Sequence, residues 1–128
     1  MMKVYLDEIV RGEKSTDARL YPTDTRGTIA LGDSSTNKVY ATAELVDCRE
    51  IPYERFVAWH RTGPFKDVEF APYHEGKPCY EYVLSNVRKL TVPVTIPNPS
   101  GSRMWVEIPE ETVRSFGYQR TLLQFRGP

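Results

Sequence analysis

Ile9-Val10-Arg11-Gly12-Glu13-Lys14-Ser15-Thr16-Asp17-Ala18-Arg19 packs a helix stop, a cation, an acid and a second cation into one short run. Just upstream, Tyr5, Leu6, Ile9 and Val10 recur at helical spacing, which predicts a helix over residues 3–11. Gly12 is the stop: without a Cβ it lets the chain leave the helix in a left-handed conformation. Residues 12–19 show neither a helical nor a strand period and read as a constrained polar loop. Lys14 and Asp17 are three residues apart on it, close enough to face one cleft. An ammonium beside a carboxylate stays charged unless desolvated. Lys14 can then hold a phosphate while Asp17 accepts from a base edge or a sugar hydroxyl. Arg19 adds a planar fork suited to phosphate or carboxylate. The plainer alternative makes Asp17 and Arg19 a structural ion pair that caps the mouth of a barrel.

Outward from this stretch the chain reads as β. Residues 27–33 alternate and predict a strand, Ser34-Ser35-Thr36-Asn37 a turn, and residues 38–48 a second strand closing a hairpin. Pro52 opens and Gly63-Pro64 closes a second helix, with Phe56, Trp59 and His60 on one face. Residues 64–78 are rich in proline and glycine and read as loop. Residues 79–90 form the longest strand candidate, and Pro93, Pro97 and Pro99 confine the next segment to edge strand or loop. Residues 103–108 predict a short strand. Pro109 begins a third helix that Gly117 ends, with Glu110 and Glu111 placed well against its dipole. Residues 118–126 predict a last strand. There is no internal repeat and no linker, so residues 1–128 read as a single domain. The expected class is α+β, mainly β: a small antiparallel barrel, which removes sheet edges, with two or three peripheral helices.

Composition excludes several functions. With 40% hydrophobic and 27% charged residues, disorder is not the whole answer. Seventeen basic and seventeen acidic residues give a net charge of zero, so a nucleic-acid site must be a local patch. Residues 85–128 hold six basic and three acidic residues, too weak an excess to decide anything alone. No run of about 18 apolar residues predicts a membrane span, and the start turns acidic too soon for a signal peptide. Cys48 and Cys79 form no metal-ligand spacing and read as free thiols in a reduced cytoplasm. No metal or other cofactor is expected.

The run Gly12-Glu13-Lys14-Ser15-Thr16-Asp17-Ala18-Arg19 resembles the signature of the ASCH family: glycine, any residue, lysine, two residues, an acid that is usually Glu, one residue, arginine. Gly27-Thr28-Ile29-Ala30-Leu31 stands where such domains have their first barrel strand. Tyr82 to Val94 looks like the late strand that leads into proline, and Gly101 and Trp105 resemble residues near the family's end. The match covers residues 3–108. The resemblance implies a PUA-like β-barrel and a ligand that is RNA or a modified nucleotide or nucleoside. Some ASCH proteins hydrolyse N4-acetylcytidine with a lysine, a threonine three residues later and a distant glutamate. Here the threonine position is Asp17, with Thr16 adjacent, and Glu69, Glu75 and Glu81 are all open for the glutamate. An aspartate cannot replace a hydroxyl nucleophile in that chemistry. Other ASCH proteins resemble nucleases that cut single-stranded RNA and depend on the motif lysine.

The leading expectation is therefore an RNA- or modified-nucleotide-binding module, lined by Lys14, Asp17 and Arg19 and supported by Arg26 and Arg88. The alternative is a small metal-independent hydrolase, a single-stranded ribonuclease or an N4-acylcytidine amidohydrolase, with Lys14 essential. In that case Asp17 or His60 is the base and Ser85 a weaker catalytic candidate. A third possibility is an interaction module without chemistry. Trp59 can stack a base if its ring is open, though Phe56 and Trp59 at helical spacing read more simply as core, with His60 at the rim. His74 sits on a loop. Tyr21, Tyr73, Tyr80 and Tyr82 either stack bases or plug the barrel.

Overall fold

The computed structural model describes residues 3–33, 35–62 and 76–97. In order these are α1 (Lys3–Val10), β1 (Thr16–Arg19), β2 (Gly27–Asp33), β3 (Lys38–Ile51), α2 (Tyr53–Trp59) with a 3₁₀ turn at His60–Thr62, and β4 (Cys79–Thr95). The strands form one antiparallel sheet in the order β1-β4-β3-β2. The class is α+β and mainly β, as expected. The expected barrel is not closed among the described residues: β1 and β2 are the two edges and do not pair. Glu69, Tyr73, His74, Glu75, Gly101, Trp105, the strands at 103–108 and 118–126 and the helix at 109–117 lie outside the described residues.

Helix α1 ends as its sequence dictates. Gly12 adopts φ +81°, its amide donates to the Ile9 carbonyl at 3.1 Å, and the Glu13 amide donates to the Glu8 carbonyl at 2.9 Å. That pair of bonds is a Schellman motif. The Lys14 amide also donates to the Glu8 carbonyl, at 3.3 Å, so the turn folds Lys14 back over the helix end.

Two apolar clusters flank the sheet. Leu6 and Ile9 of α1 pack on Ile29, Leu31, Ala41, Ala43, Leu45, Tyr82 and Leu84. On the opposite face Phe56 of α2 packs on Ala18, Ile51 and Cys79. Strand β3 serves both because its register shifts between Leu45 and Asp47, where Val46 is an extra, half-exposed residue. One inserted residue reverses which side chains face which side. Before it Leu45 faces the α1 cluster; after it Cys48 packs there and Ile51 joins the α2 cluster. In β4 a similar shift lies beside Asn86, at φ 51°.

Two expectations need correction. Residues 16–19 form a strand where the polar run has no period. Their burial requires that charge be cancelled locally, and Asp17 and Arg19, on the same face, cancel each other. Strand β4 also runs on through Pro93 to Thr95 rather than stopping. The pairing jumps from Lys89–Ala41 to Val94–Val39, and Pro93 lies inside that irregularity, where no ladder donor is needed. The 27–33/38–48 hairpin stands, with its second strand continuing to Ile51. Asp33 caps its turn, accepting from the Ser35 amide and hydroxyl and the Thr36 hydroxyl. Burial alone would raise the Asp33 pKa, but those bonds outweigh it and hold the carboxyl below its usual range. Cys48 and Cys79 are both free thiols.

Candidate functional site

The end of α1, the start of β1 and the end of α2 meet at Lys14. Its side chain is only 10% exposed. The ammonium donates to the Trp59 carbonyl at 2.7 Å and stands 3.6 Å from Glu8 Oε2. It also lies 4.5 Å from the centroid of the Trp59 ring, in cation–π range. The Trp59 indole in turn donates to the Thr16 carbonyl at 3.0 Å, on the open edge of β1. Lys14 is thus a positioned, largely desolvated cation. Glu8, its acidic partner, had no signal in the sequence beyond its place one turn before Gly12; only the Schellman turn brings the two together.

His60 is buried beside it, not at the rim. Its ring packs against Tyr5, Phe56 and Trp59 at centroid distances of 5.4, 4.6 and 4.8 Å. Nδ1 lies 2.8 Å from the Phe56 carbonyl, which can only accept, so Nδ1 carries the proton. Burial pushes the His60 pKa down, against the Phe56 bond and Asp17, which raise it, while Lys14 and Arg19 lower it further. The imidazole is therefore neutral near pH 7, with Nε2 as its basic nitrogen. The Trp59 ring, flanked by Lys14, Tyr5 and His60, belongs to this cluster rather than to an open stacking platform.

Asp17 and Arg19 lie on the α1 face of β1. Arg19 Nε donates to Asp17 Oδ2 at 2.8 Å, the ion pair read as the plainer alternative. Burial alone would lower the Arg19 pKa, but Asp17 outweighs it and keeps the guanidinium protonated. Beneath them Tyr82 is buried, its hydroxyl donating to the Tyr21 carbonyl at 2.7 Å, and burial pushes its pKa well up. Tyr21 is exposed and Tyr80 half-buried.

On the other face Glu81 is a buried hub. Its side chain is 3% exposed and accepts from Arg49, Arg55 and the Thr16 hydroxyl. Burial would raise its pKa, but the two guanidinium groups outweigh that and hold it below the usual carboxylate range. Thr16 and Asp17 therefore point to opposite faces, by strand alternation. Sequence reasoning missed Arg49 and Arg55; no motif joins them, and only the β3–β4 register sets Arg49 opposite Glu81.

Other expected site residues are more dispersed. Ser85 is exposed and adjoins Leu84, whose amide donates to the Ser15 carbonyl at 3.0 Å. Arg26 bonds the Thr23 and Thr25 carbonyls and lies 3.8 Å from Asp47. Arg88 pairs in register with Thr42, well along β4 from β1, and its side chain reaches Asn86 at 3.4 Å. Neither has a described contact with Lys14. Among the described residues no three His, Cys, Asp or Glu side chains gather as metal ligands, and no helix is long and apolar enough to cross a membrane.

No family model and no curated protein matches the chain by sequence. A solved structure does match by shape: a point mutant of ZmASCH, from Zymomonas mobilis. It is 14% identical, the match covers 87% of this chain and 73% of that one, and the TM-score is 0.55. The resemblance read from Gly12 to Arg19 and the backbone thus lead to the same place: this chain has the fold of an ASCH protein.

Proposed function

We propose that the chain binds RNA or a modified nucleotide at the Lys14 cluster, as one PUA-like domain working in the cytoplasm. The observation that carries this reading is the state of Lys14. It is a desolvated cation fixed between an indole face, a carbonyl and Glu8, with a neutral imidazole near by. Such a set is already held in place by the fold, so little ordering cost remains when a base edge or a phosphate arrives. The motif in an ASCH fold supports the same ligand class. Asp17 and Arg19 support the floor of the site as a pair, and Arg26 and Arg88 are assigned at most a peripheral part in the phosphate path.

One observation favours a second reading, a metal-independent hydrolase. The Leu84 amide donates to the Ser15 carbonyl at 3.0 Å, so Ser85 and Lys14 each lie one residue from a shared backbone bond. A hydroxyl, a cation and a neutral imidazole are the elements of general acid–base chemistry. An amidohydrolase is less well supported than a ribonuclease. Asp17 stands where the nucleophilic threonine would be, and Thr16 instead donates to Glu81, whose basicity two arginines suppress.

The deciding experiment incubates single-stranded RNA and N4-acetylcytidine separately with wild type and Lys14→Ala, without added metal. Binding is followed by anisotropy and products by mass spectrometry. Lys14-dependent binding without turnover is the expected result. Lys14-dependent fragments or free cytidine replace it with the hydrolase, and neither binding nor turnover overturns both.

A further inference from the structure

Glu81 is buried, yet both arginines that hold it reach solvent: their side chains are 52% and 55% exposed for Arg49 and Arg55. Arg55 grips the carboxylate with two atoms, Nε to Oε2 at 3.0 Å and Nη2 to Oε1 at 3.0 Å. Arg49 places Nε and Nη2 on Oε1 at 3.1 and 2.8 Å. The two Nη2 atoms therefore converge on one oxygen, which fixes both guanidinium groups beside the same carboxylate. Neither Nη1 group has a hydrogen-bond partner among the described residues. Within this trio the buried acid cancels one of the two positive charges, and Glu50 and Glu54 adjoin the arginines in sequence. Exposed arginines normally lose rotamer freedom on binding an anion; here the carboxylate has already fixed them.

We infer that Arg49 and Arg55, oriented by Glu81, form an anion subsite for a phosphate group, each fork donating to one phosphate oxygen. Planar forks suit that geometry. The subsite adjoins the Lys14 cluster through named contacts. The Thr16 hydroxyl donates to Glu81 Oε2, and the Thr16 carbonyl accepts from the same Trp59 whose carbonyl holds Lys14. Lys14 and Thr16 are two residues apart, about 6–7 Å along an extended chain. A nucleotide whose base is read at Lys14 can rest its phosphate on the arginine pair. This inference rests on the proposed function for the source of the phosphate, but not for the subsite itself.

The test uses NMR of the arginine Nε–Hε resonances in the full chain, titrated with inorganic phosphate and, separately, with a single-stranded oligoribonucleotide. Wild type, Arg49→Gln, Arg55→Gln and Lys14→Ala are compared. Each arginine variant leaves Glu81 one cationic partner, which protects the fold, and circular dichroism checks it. Phosphate is expected to shift the Arg49 and Arg55 signals together, and loss of either arginine to abolish the shift of the other. With RNA, each arginine variant is expected to bind several-fold more weakly and to lower the slope of log K against log salt by about 0.7. Shifts with phosphate but not with RNA uphold the anion subsite and overturn the RNA reading. RNA binding that needs Lys14 but ignores both arginines, with no shift in phosphate, overturns the subsite and leaves the RNA reading standing.

Discussion

A single side chain, Lys14, is both a buried structural partner and the centre of the proposed site, and the two roles can be separated by experiment. Lys14→Met keeps the stem against Trp59 but removes the charge, leaving Glu8 buried without this cation. Breaking a buried ion pair is costly, so the urea midpoint is expected to fall by the equivalent of about 2–4 kcal/mol. Adding Glu8→Gln removes the opposing charge, and the double variant is expected to recover part of that loss. A coupling of about 1–3 kcal/mol from the four-way cycle is the checkable quantity; strict additivity would mean that Glu8 and Lys14 do not interact. His60 gives a pH signature. Its folded pKa lies below its unfolded value of about 6.5, because burial opposes the charge. The unfolded chain thus binds the proton first as pH falls. The stabilisation from a neutral His60 is present above about pH 6.5 and is lost as pH drops from there through the folded pKa. A His60→Gln variant is expected to show a flatter stability profile over that window. Glu81 and Asp33 act lower. Their folded pKa values are depressed, so their stabilisation is full above the ordinary carboxylate range and disappears as pH falls through the folded values. Glu81→Gln removes its share of that acid loss, which a denaturation series from pH 6 to pH 2 would register.

At the scale of elements, the irregularities of β3 and β4 decide which face each side chain of the candidate site takes. With Val46 paired in a regular ladder instead of bulging out, β3 would present Ile51 to the α1 cluster and carry Arg49 away from Glu81. Without the shift at Asn86, Val87 would not return to the core. Asn86 sits at φ 51°, a conformation that asparagine and glycine adopt readily and β-branched residues do not. Asn86→Gly is therefore expected to be nearly neutral, and Asn86→Val to lose about 1–2 kcal/mol in thermal or urea unfolding. Equal losses would mean the bulge does not demand that geometry. These irregularities also explain what the sequence could and could not reveal. The Gly12 stop, the 27–48 hairpin and the strand from Cys79 were legible because local chemistry specifies them: a left-handed cap, a turn cluster, runs of β-branched and aromatic residues. Strand β1 was not legible. A polar tetrapeptide becomes a strand only because β4 lies beside it and Asp17 neutralises Arg19. The extension through Pro93 was hidden for the same reason, since pairing partners rather than propensity decide where a strand ends. Of the candidate site, Lys14 and the Asp17–Arg19 pair were visible in the motif. Glu8, Arg49 and Arg55 were not, because cross-strand register and a helix cap, not sequence spacing, unite them with their partners.

For the whole molecule, the decisive quantity is a net charge of zero. A strongly basic protein attracts nucleic acid over its entire surface and binds it non-specifically. This chain cannot, so an affinity for RNA has to come from a few fixed groups. Several of the described cations are paired within the fold. Lys3 pairs with Asp7, Arg19 with Asp17 and Lys14 with Glu8, and Arg26 lies near Asp47. The arginine pair on Glu81 is a locus where two half-exposed guanidinium groups share one buried carboxylate. Salt dependence turns this distribution into a number. For single strands log K falls with log salt at a slope of about −0.7 for each phosphate neutralised. One or two phosphate contacts, from the arginine pair and Lys14, give a slope of about −0.7 to −1.4. Titrations of a single-stranded oligoribonucleotide at four or five salt concentrations would measure it. A slope near zero would mean that bases or a nucleoside, not phosphates, supply the affinity, which favours a modified-nucleoside pocket at Lys14 alone. A slope of about −4 or steeper requires six or more phosphate contacts, more than Lys14 and the arginine pair can make, and would overturn a compact site built on them.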